Sequence, residues 1–138
     1  MLTRALFALA LICMGVPAAA EDAKVLALGL ADHAVTEEEL EKGEALAPPR
    51  FNSGGVAYAW MSGLKQGDTV EVALVKDGKT LMHNTETLAE DKARLLLLAG
   101  KQAVPAGGWP AGKYNAAVTI TRDGKTFIEQ TSTPTPFE

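Results

Sequence analysis

The sequence predicts an all-β fold: an antiparallel sandwich of about seven strands, preceded by a cleaved signal peptide. Three observations lead to this prediction. An apolar leader occupies the N-terminus, apolar and polar residues alternate through most of the remaining chain, and two Asp-Gly pairs divide long alternating segments. Alternation with a period of two is typical of half-buried strands, and Asp-Gly is a preferred pair for tight hairpin turns.

Residues 1–20 contain the three parts of a secretory signal peptide. Arg4 supplies a positive charge, residues 5–16 form an apolar run, and Ala18 and Ala20 are small residues of the kind that precede a cleavage site. The run is shorter than the roughly 20 apolar residues that span a bilayer, although a retained anchor is the alternative. We therefore predict that the leader is removed and that residues 21–138 form one β-sandwich domain with a short extended tail. No later segment is apolar enough to span a membrane.

The composition points to the bacterial periplasm or to secretion. Cys13, in the leader, is the only cysteine, and Ala10 and Ile12 depart from the residues that precede a lipid-modified cysteine. The mature domain therefore has no disulfide, and it has no Asn-x-Ser/Thr acceptor; small secreted eukaryotic domains usually depend on disulfides. Loss of Arg4 changes the net charge from −4 to −5. Nucleic acid and anionic membrane surfaces would repel such a domain.

Seven segments are predicted as strands, at residues 24–30, 56–61, 69–76, 79–87, 93–99, 114–121 and 126–131. The alternation places Val70, Val72 and Leu74 on one face of the third strand, opposite Glu71 and Ala73. It makes Tyr114, Ala116, Val118 and Ile120 the inward face of the sixth strand. Asp77-Gly78 and Asp123-Gly124 supply the hairpin turns. The tail, residues 133–137, is predicted to be extended and without ladder hydrogen bonds, because of its two prolines.

Two segments leave alternatives open. The run from Leu95 to Leu98 does not alternate, which fits a strand buried on both faces or a helical turn; Gly100 closes the run early and favours the strand. Thr36 and Glu39 have the spacing of a capping box, and Gly43 stands where a short helix would end. A solvated loop is the other interpretation of that acidic stretch.

The segment before the sixth strand carries a family resemblance. Pro110-x-Gly112-x-Tyr114, followed by the Asp123-Gly124 hairpin, resembles bacterial envelope domains of the immunoglobulin-like and fibronectin-like classes. The resemblance implies a two-sheet sandwich in which the Tyr114 hydroxyl bonds to backbone at a corner, and in which Trp109 covers an open end of the core. It implies an architecture and not an activity.

The sequence contains no recognisable catalytic machinery. Its two histidines, His33 and His83, lie far apart and lack the spacing of zinc ligands, which usually converge in threes or fours. A nucleophile elbow and a phosphate-binding glycine loop are both absent. We therefore predict that the chain is not an enzyme and that it holds no cofactor or metal; the acidic residues 37–44 are interpreted as a solvated face.

Aromatic residues give the remaining functional signal. Tyr58 and Trp60 are two apart and so share one face of their strand, and Trp109 lies in a loop rich in glycine and proline. The favoured interpretation places all three in the core, where large aromatic rings bury most area. If they face outward, Trp109, Tyr58 and Trp60 form a candidate ligand-binding set.

The leading functional hypothesis is a non-enzymatic exported envelope module that binds another envelope protein through a sheet edge or end loops. It follows from an export signal and a small sandwich without convergent reactive groups. One alternative is binding of a small ligand or glycan through the three aromatic residues. Another is a metal-binding protein or enzyme that uses His33 and His83.

Overall fold

The computed structural model describes residues 23–138, which form eight strands and one short helix. The strands are β1 (Lys24–Ala31), β2 (Gly55–Leu64), β3 (Thr69–Lys76), β4 (Lys79–Thr87), β5 (Lys92–Lys101), β6 (Lys113–Arg122), β7 (Lys125–Thr131) and β8 (Thr135–Pro136). The helix, α1 (Glu37–Lys42), lies between β1 and β2. The predicted all-β character is confirmed. The predicted signal peptide, residues 1–20, lies outside the described residues.

The strands form two antiparallel sheets. The first has the order β1-β2-β5, and the second has the order β4-β3-β6-β7 with β8 paired to β6. In the first sheet, Tyr58 lies opposite Gly29 of β1 and Leu98 of β5. In the second, Val72 lies opposite Asn84 of β4 and Val118 of β6. Each of the seven predicted strands is present, and β8 is an additional short one.

The core lies between the two sheets. The apolar face of β3 and the predicted inward face of β6 are fully buried there, namely Val70, Val72, Leu74, Tyr114, Ala116, Val118 and Ile120. The first sheet meets them chiefly with Ala57, Ala59 and Met61 of β2. Alternation thus correctly identified the inward face of the second sheet, because its outward positions are more polar and the contrast is clear.

Both Asp-Gly pairs form the predicted tight turns. Asp77 and Gly78 have φ angles of 49° and 81°, and Asp123 and Gly124 have 54° and 76°. Two successive positive φ angles characterise the type I′ turn, whose twist matches that of the flanking strands. The first turn is also fastened to β6, because the amide of Lys113 donates to Asp77 Oδ1 at 3.0 Å.

The acidic stretch contains the helix and not the alternative loop. Thr36 Oγ1 accepts from the Glu39 amide at 3.2 Å, and the Thr36 amide donates to Glu39 Oε1 at 2.9 Å. Gly43, in the left-handed conformation, ends the helix. None of the helical residues is buried, so these caps supply much of what holds so short a helix. Within residues 23–138, no helix is long and apolar enough to cross a membrane.

Three aromatic rings close one end of the core. Trp109 is 6% exposed, and its Nε1 donates to the Ser53 carbonyl at 2.8 Å. The Tyr114 hydroxyl donates to the Pro110 carbonyl at 2.5 Å, four residues upstream, which is the corner bond expected from the sequence. The Phe137 ring stacks on Tyr114 with 3.9 Å between centroids.

The prediction that the tail makes no ladder bonds was wrong. Lys113 pairs with Pro136 and Tyr114 pairs with Thr135, so β8 extends the second sheet beside the start of β6. A proline is compatible with the outermost strand of a sheet, because the missing N–H is not needed on the open side. The tail therefore fastens Phe137 against the core.

Candidate functional site

The most distinctive surface lies on the outer face of the first sheet. Tyr58 and Trp60 of β2 project there, opposite Leu98 and Leu96 of β5 respectively. All four side chains are partly buried, and none belongs to the core between the sheets. We name these four residues the outer patch. Two aromatic–leucine pairs side by side form a continuous apolar surface, because directly opposed side chains on a sheet face touch.

The preference for Tyr58 and Trp60 as core residues was wrong. Ala57, Ala59 and Met61 occupy the inward positions of β2 and are fully buried, so the intervening aromatic residues must face outward. The reason lies in the second sheet, which brings Val72, Val118 and other branched residues into the core. Two of the inward residues of β2 are alanines, and these leave room for the larger partners.

The interpretation of the leucine run as a strand is confirmed, but burial on both faces is not. Leu97 and Ala99 face inward and are buried, whereas Leu96 and Leu98 face outward and remain partly exposed. The run is apolar on both faces because one face lines the core and the other contributes to the outer patch.

Tyr58 lies across the backbone of β1. Gly29 is its direct neighbour, and a Cβ atom built on Gly29 would come within 2.8 Å of the Tyr58 hydroxyl oxygen. Burial raises the pKa of this phenol above its ordinary value of about 10. Within residues 23–138, the hydroxyl has no hydrogen-bond partner. Tyr58 is therefore held by ring packing and not by a hydrogen bond from its hydroxyl.

The segment after β1 borders the patch. Trp60 Nε1 donates to Glu37 Oε2 of α1 at 3.2 Å. A second tie lies within the segment: His33 Nδ1 is 2.7 Å from Asp32 Oδ1, and its Nε2 is 2.8 Å from Glu39 Oε2. These contacts fix α1 beside Trp60, so the helix forms one wall of the patch.

His33 acts as a clamp between two carboxylates. Its hydrogen bonds to Asp32 and then to Glu39 raise its pKa above the ordinary value of about 6.5. The Thr36 amide and His33 lower the pKa of Glu39. A catalytic histidine needs one ring nitrogen directed at a nucleophile or substrate, and here both nitrogens are engaged by carboxylates. The arrangement suits structural fastening of α1 and not proton transfer.

The structure does not bring the two histidines together. His83 lies on β4 in the second sheet, where its Nδ1 is 3.1 Å from Glu71 Oε2. His33 follows β1 in the first sheet and has different partners. In the described part of the chain, no group of three or more His, Cys, Asp or Glu side chains is placed to hold a metal ion.

The structure separates the predicted aromatic set. Tyr58 and Trp60 share the outer patch, whereas Trp109 is enclosed at the end of the core between the rings of Tyr114 and Phe137. A ligand on the outer patch would not meet Trp109. The cross-strand leucines take its place, and the unbroken run of leucines was the signal for them in the sequence.

Two open depressions lie elsewhere. The larger, of about 640 Å³, lies between the segment before β2 and the tail, and it is lined by Asp32, Ala47, Pro48, Pro49, Arg50, Thr135, Pro136 and Glu138. The smaller, of about 540 Å³, lies at the β6–β7 turn beside Arg122 and Phe127.

One buried ion pair could not be located from the sequence. Arg122 donates two hydrogen bonds of 2.8 Å to the Asp68 carboxylate, across 54 residues. Asp68 also accepts from the Lys65 amide at 2.9 Å, and these contacts lower its pKa. The Arg122 guanidinium lies 4.4 Å from the centre of the Phe127 ring. The pair fastens the β2–β3 loop to the end of β6 and is a structural element.

In comparisons with known proteins, no protein-family model matches the chain, and no curated protein is significantly similar to it.

Proposed function

We propose that the chain is an exported, non-enzymatic immunoglobulin-like module that binds another envelope protein through the outer patch. The observation that carries this proposal is the patch itself: Tyr58, Trp60, Leu96 and Leu98 form an apolar surface on a sheet face that no other sheet of residues 23–138 covers. Aromatic residues are enriched in protein interfaces, where they bury large areas at low entropic cost.

Strand order supports the immunoglobulin-like assignment. In constant-type immunoglobulin domains, strands one, two, four and five share a sheet and strands three, six and seven form the other. The present order has the same partition except that β4 pairs with β3. The bond from the Tyr114 hydroxyl to the Pro110 carbonyl, near the start of the sixth strand, provides independent support.

Export is proposed from the sequence of residues 1–20. The test is N-terminal sequencing of the protein recovered from the periplasm or medium of a bacterial host. We expect the processed chain to begin at Glu21, and a variant without residues 1–20 to remain in the cytoplasm. An uncleaved N-terminus in the exported fraction would contradict this part of the proposal.

The binding surface is tested with a photo-crosslinking amino acid at two matched positions. Leu26 lies at the β1 bulge, next to the residue opposite Trp60, and is 41% exposed; Phe127, on the second sheet, is 42% exposed. We expect a discrete protein adduct from position 26 that is lost in a Leu98→Asp background. Equal adducts from position 127, or adducts that survive Leu98→Asp, would contradict the assignment.

Glycan binding is the second candidate, and it now depends on Tyr58 and Trp60 alone. Both rings are partly exposed on one face, as stacking on a sugar requires. A sugar site also needs several polar groups around the ring, whereas the cross-strand neighbours of these rings are leucines. Titration of tryptophan fluorescence with oligosaccharides distinguishes the candidates: a saturable change that Trp60→Phe abolishes would favour the glycan.

A further inference from the structure

The strand β5 is an unusually regular sheet edge. It pairs with β2 from Lys101 to Lys92, and none of these pairs is displaced by a bulge. The other long outermost strands differ, because β1, β4 and β7 each show a shift of register in their pairing. Bulges are a common means of preventing an edge from pairing with another chain. Apart from the two-residue β8, β5 is therefore the one outermost strand of residues 23–138 without this protection.

The side chains of β5 present an ordered pattern on the outer face. Lys92, Arg94, Leu96 and Leu98 occupy alternate positions, so two cations are followed by two leucines along one face. The leucines belong to the outer patch. Lys92 and Arg94 make no ion pair within the described residues, and β5 contains no carboxylate. A basic edge in a chain of net charge −4 indicates an acidic partner.

We infer that β5 is the docking edge for an extended segment of a partner protein that adds to the sheet as an antiparallel strand. The partner segment carries two apolar residues and then two carboxylates at alternate positions. This order places the apolar side chains against Leu98 and Leu96 and the carboxylates against Arg94 and Lys92. The inference rests on the proposed function and names the chemistry of its partner. Main-chain hydrogen bonds supply affinity in this mode, and alternate side chains supply specificity.

One hydrogen bond to β5 would have to break on docking, and it is weak enough for an added strand to replace it. Asn84 Nδ2, from β4 of the facing sheet, donates to the Leu98 carbonyl at 2.9 Å. Asn84 is exposed, and a single neutral hydrogen bond at such a site contributes little net stability. An added strand makes several main-chain hydrogen bonds along β5 and so outweighs this one.

The probe is a fluorescent synthetic peptide with valines and then glutamates at alternate positions and threonines between them. We expect saturable binding by anisotropy, together with slower hydrogen exchange of β5 amides. The Lys92→Glu/Arg94→Glu double variant should weaken binding about tenfold, because two favourable charge pairs become repulsive. The matched Lys79→Glu/Lys125→Glu variant changes two exposed lysines of the second-sheet hairpins and should leave binding unchanged.

Three control peptides define the outcomes that would overturn the inference. A peptide N-methylated along the edge that would face β5 cannot form the proposed ladder. A peptide with lysine in place of glutamate has the wrong charge, and a peptide of reversed order has the wrong polarity. Equal binding of any of them would overturn the inference. So would protection of β5 in the absence of peptide through self-association. If the peptides fail while the position-26 adduct persists, the edge inference fails and the proposed binding function stands.

Discussion

The Arg122 guanidinium donates two hydrogen bonds to the Asp68 carboxylate, and Asp68 is only 1% exposed. Removing one member of such a pair leaves the other charge poorly solvated. We expect Asp68→Asn to lower the free energy of unfolding by about 2–4 kcal/mol, measured by urea denaturation. Asp123→Asn is the matched control, because Asn also tolerates the left-handed turn position and Asp123 is exposed. Similar losses in the two variants would contradict a structural role for the pair.

The same carboxyl makes stability depend on acid pH. Arg122 and the Lys65 amide lower the pKa of Asp68 in the folded state below the unfolded value of about 3.9. Its contribution is therefore fully present above the unfolded pKa and is lost as the pH falls through the lowered folded pKa. We expect the free energy of unfolding to fall less steeply with decreasing pH in the Asp68→Asn variant than in the parent protein. An equal pH dependence in the two proteins would show that other carboxyl groups determine the acid sensitivity of the fold.

The two tyrosines form a natural comparison. The Tyr114 hydroxyl is buried and bonded to the Pro110 carbonyl, whereas the Tyr58 hydroxyl has no partner within residues 23–138. We expect Tyr114→Phe to destabilise the protein by about 1–2 kcal/mol, because a buried acceptor loses its donor. Tyr58→Phe should change stability by less than about 0.5 kcal/mol. Thermal or urea unfolding of both variants checks this, and equal effects would contradict the assigned geometry.

Gly29 provides a test of how Tyr58 is held. An added Cβ would approach the Tyr58 hydroxyl oxygen to 2.8 Å, so Gly29→Ala must displace the ring. We expect Gly29→Ala to lower the free energy of unfolding by about 1 kcal/mol. We also expect it to bring the Tyr58 pKa closer to its ordinary value, as measured by ultraviolet titration. In a Tyr58→Ala background the same substitution should have little cost. If Gly29→Ala lowers the free energy of unfolding equally in that background, the backbone of β1, and not the ring, requires glycine.

His33 should titrate above the ordinary histidine pKa. Asp32 and then Glu39 favour its charged form, so the stabilisation is fully present below about pH 6.5 and is lost as the pH rises through the raised pKa. We expect an NMR titration of the parent to show this, and Asp32→Asn to lower the pKa. Glu41→Gln, on the same helix, is the control, because Glu41 makes no contact with His33. An effect of Glu41→Gln equal to that of Asp32→Asn would indicate a general charge effect.

Local signals in the sequence identified the second sheet well. Its hairpins depend on two adjacent residues each, and the contrast between Val72 and Glu71 is visible within a single strand. The first sheet offered no such contrast. Alternate positions of β2 hold alanines or aromatic residues, both apolar, so periodicity could not determine which set faced inward. The answer depends on the volume of the opposing sheet, and this information is distributed along the chain.

Contacts between residues that are distant in the sequence could not be predicted for a similar reason. Nothing near Asp68 indicates Arg122, because the two residues come together only when β3 pairs with β6. The sequence identified Glu39 as a capping residue, and the structure confirms that role. The contact of Glu39 with His33 could not be predicted, because it depends on how the chain turns after β1. The assignment of Trp109 to the core end was correct, because a tyrosine corner places the preceding loop there.

The two Asp-Gly reversals bear on the order in which the domain folds. Both hairpins, β3–β4 and β6–β7, belong to one sheet and join strands that are adjacent in sequence, so each can form early. The other sheet must close residues 65–91 into a loop before β5 can meet β2, and this closure has a larger entropic cost. We expect pulse-labelled amides of β6 to become protected before those of β5. The strand with the unprotected edge would then be among the last to join the nascent structure and among the first to leave it.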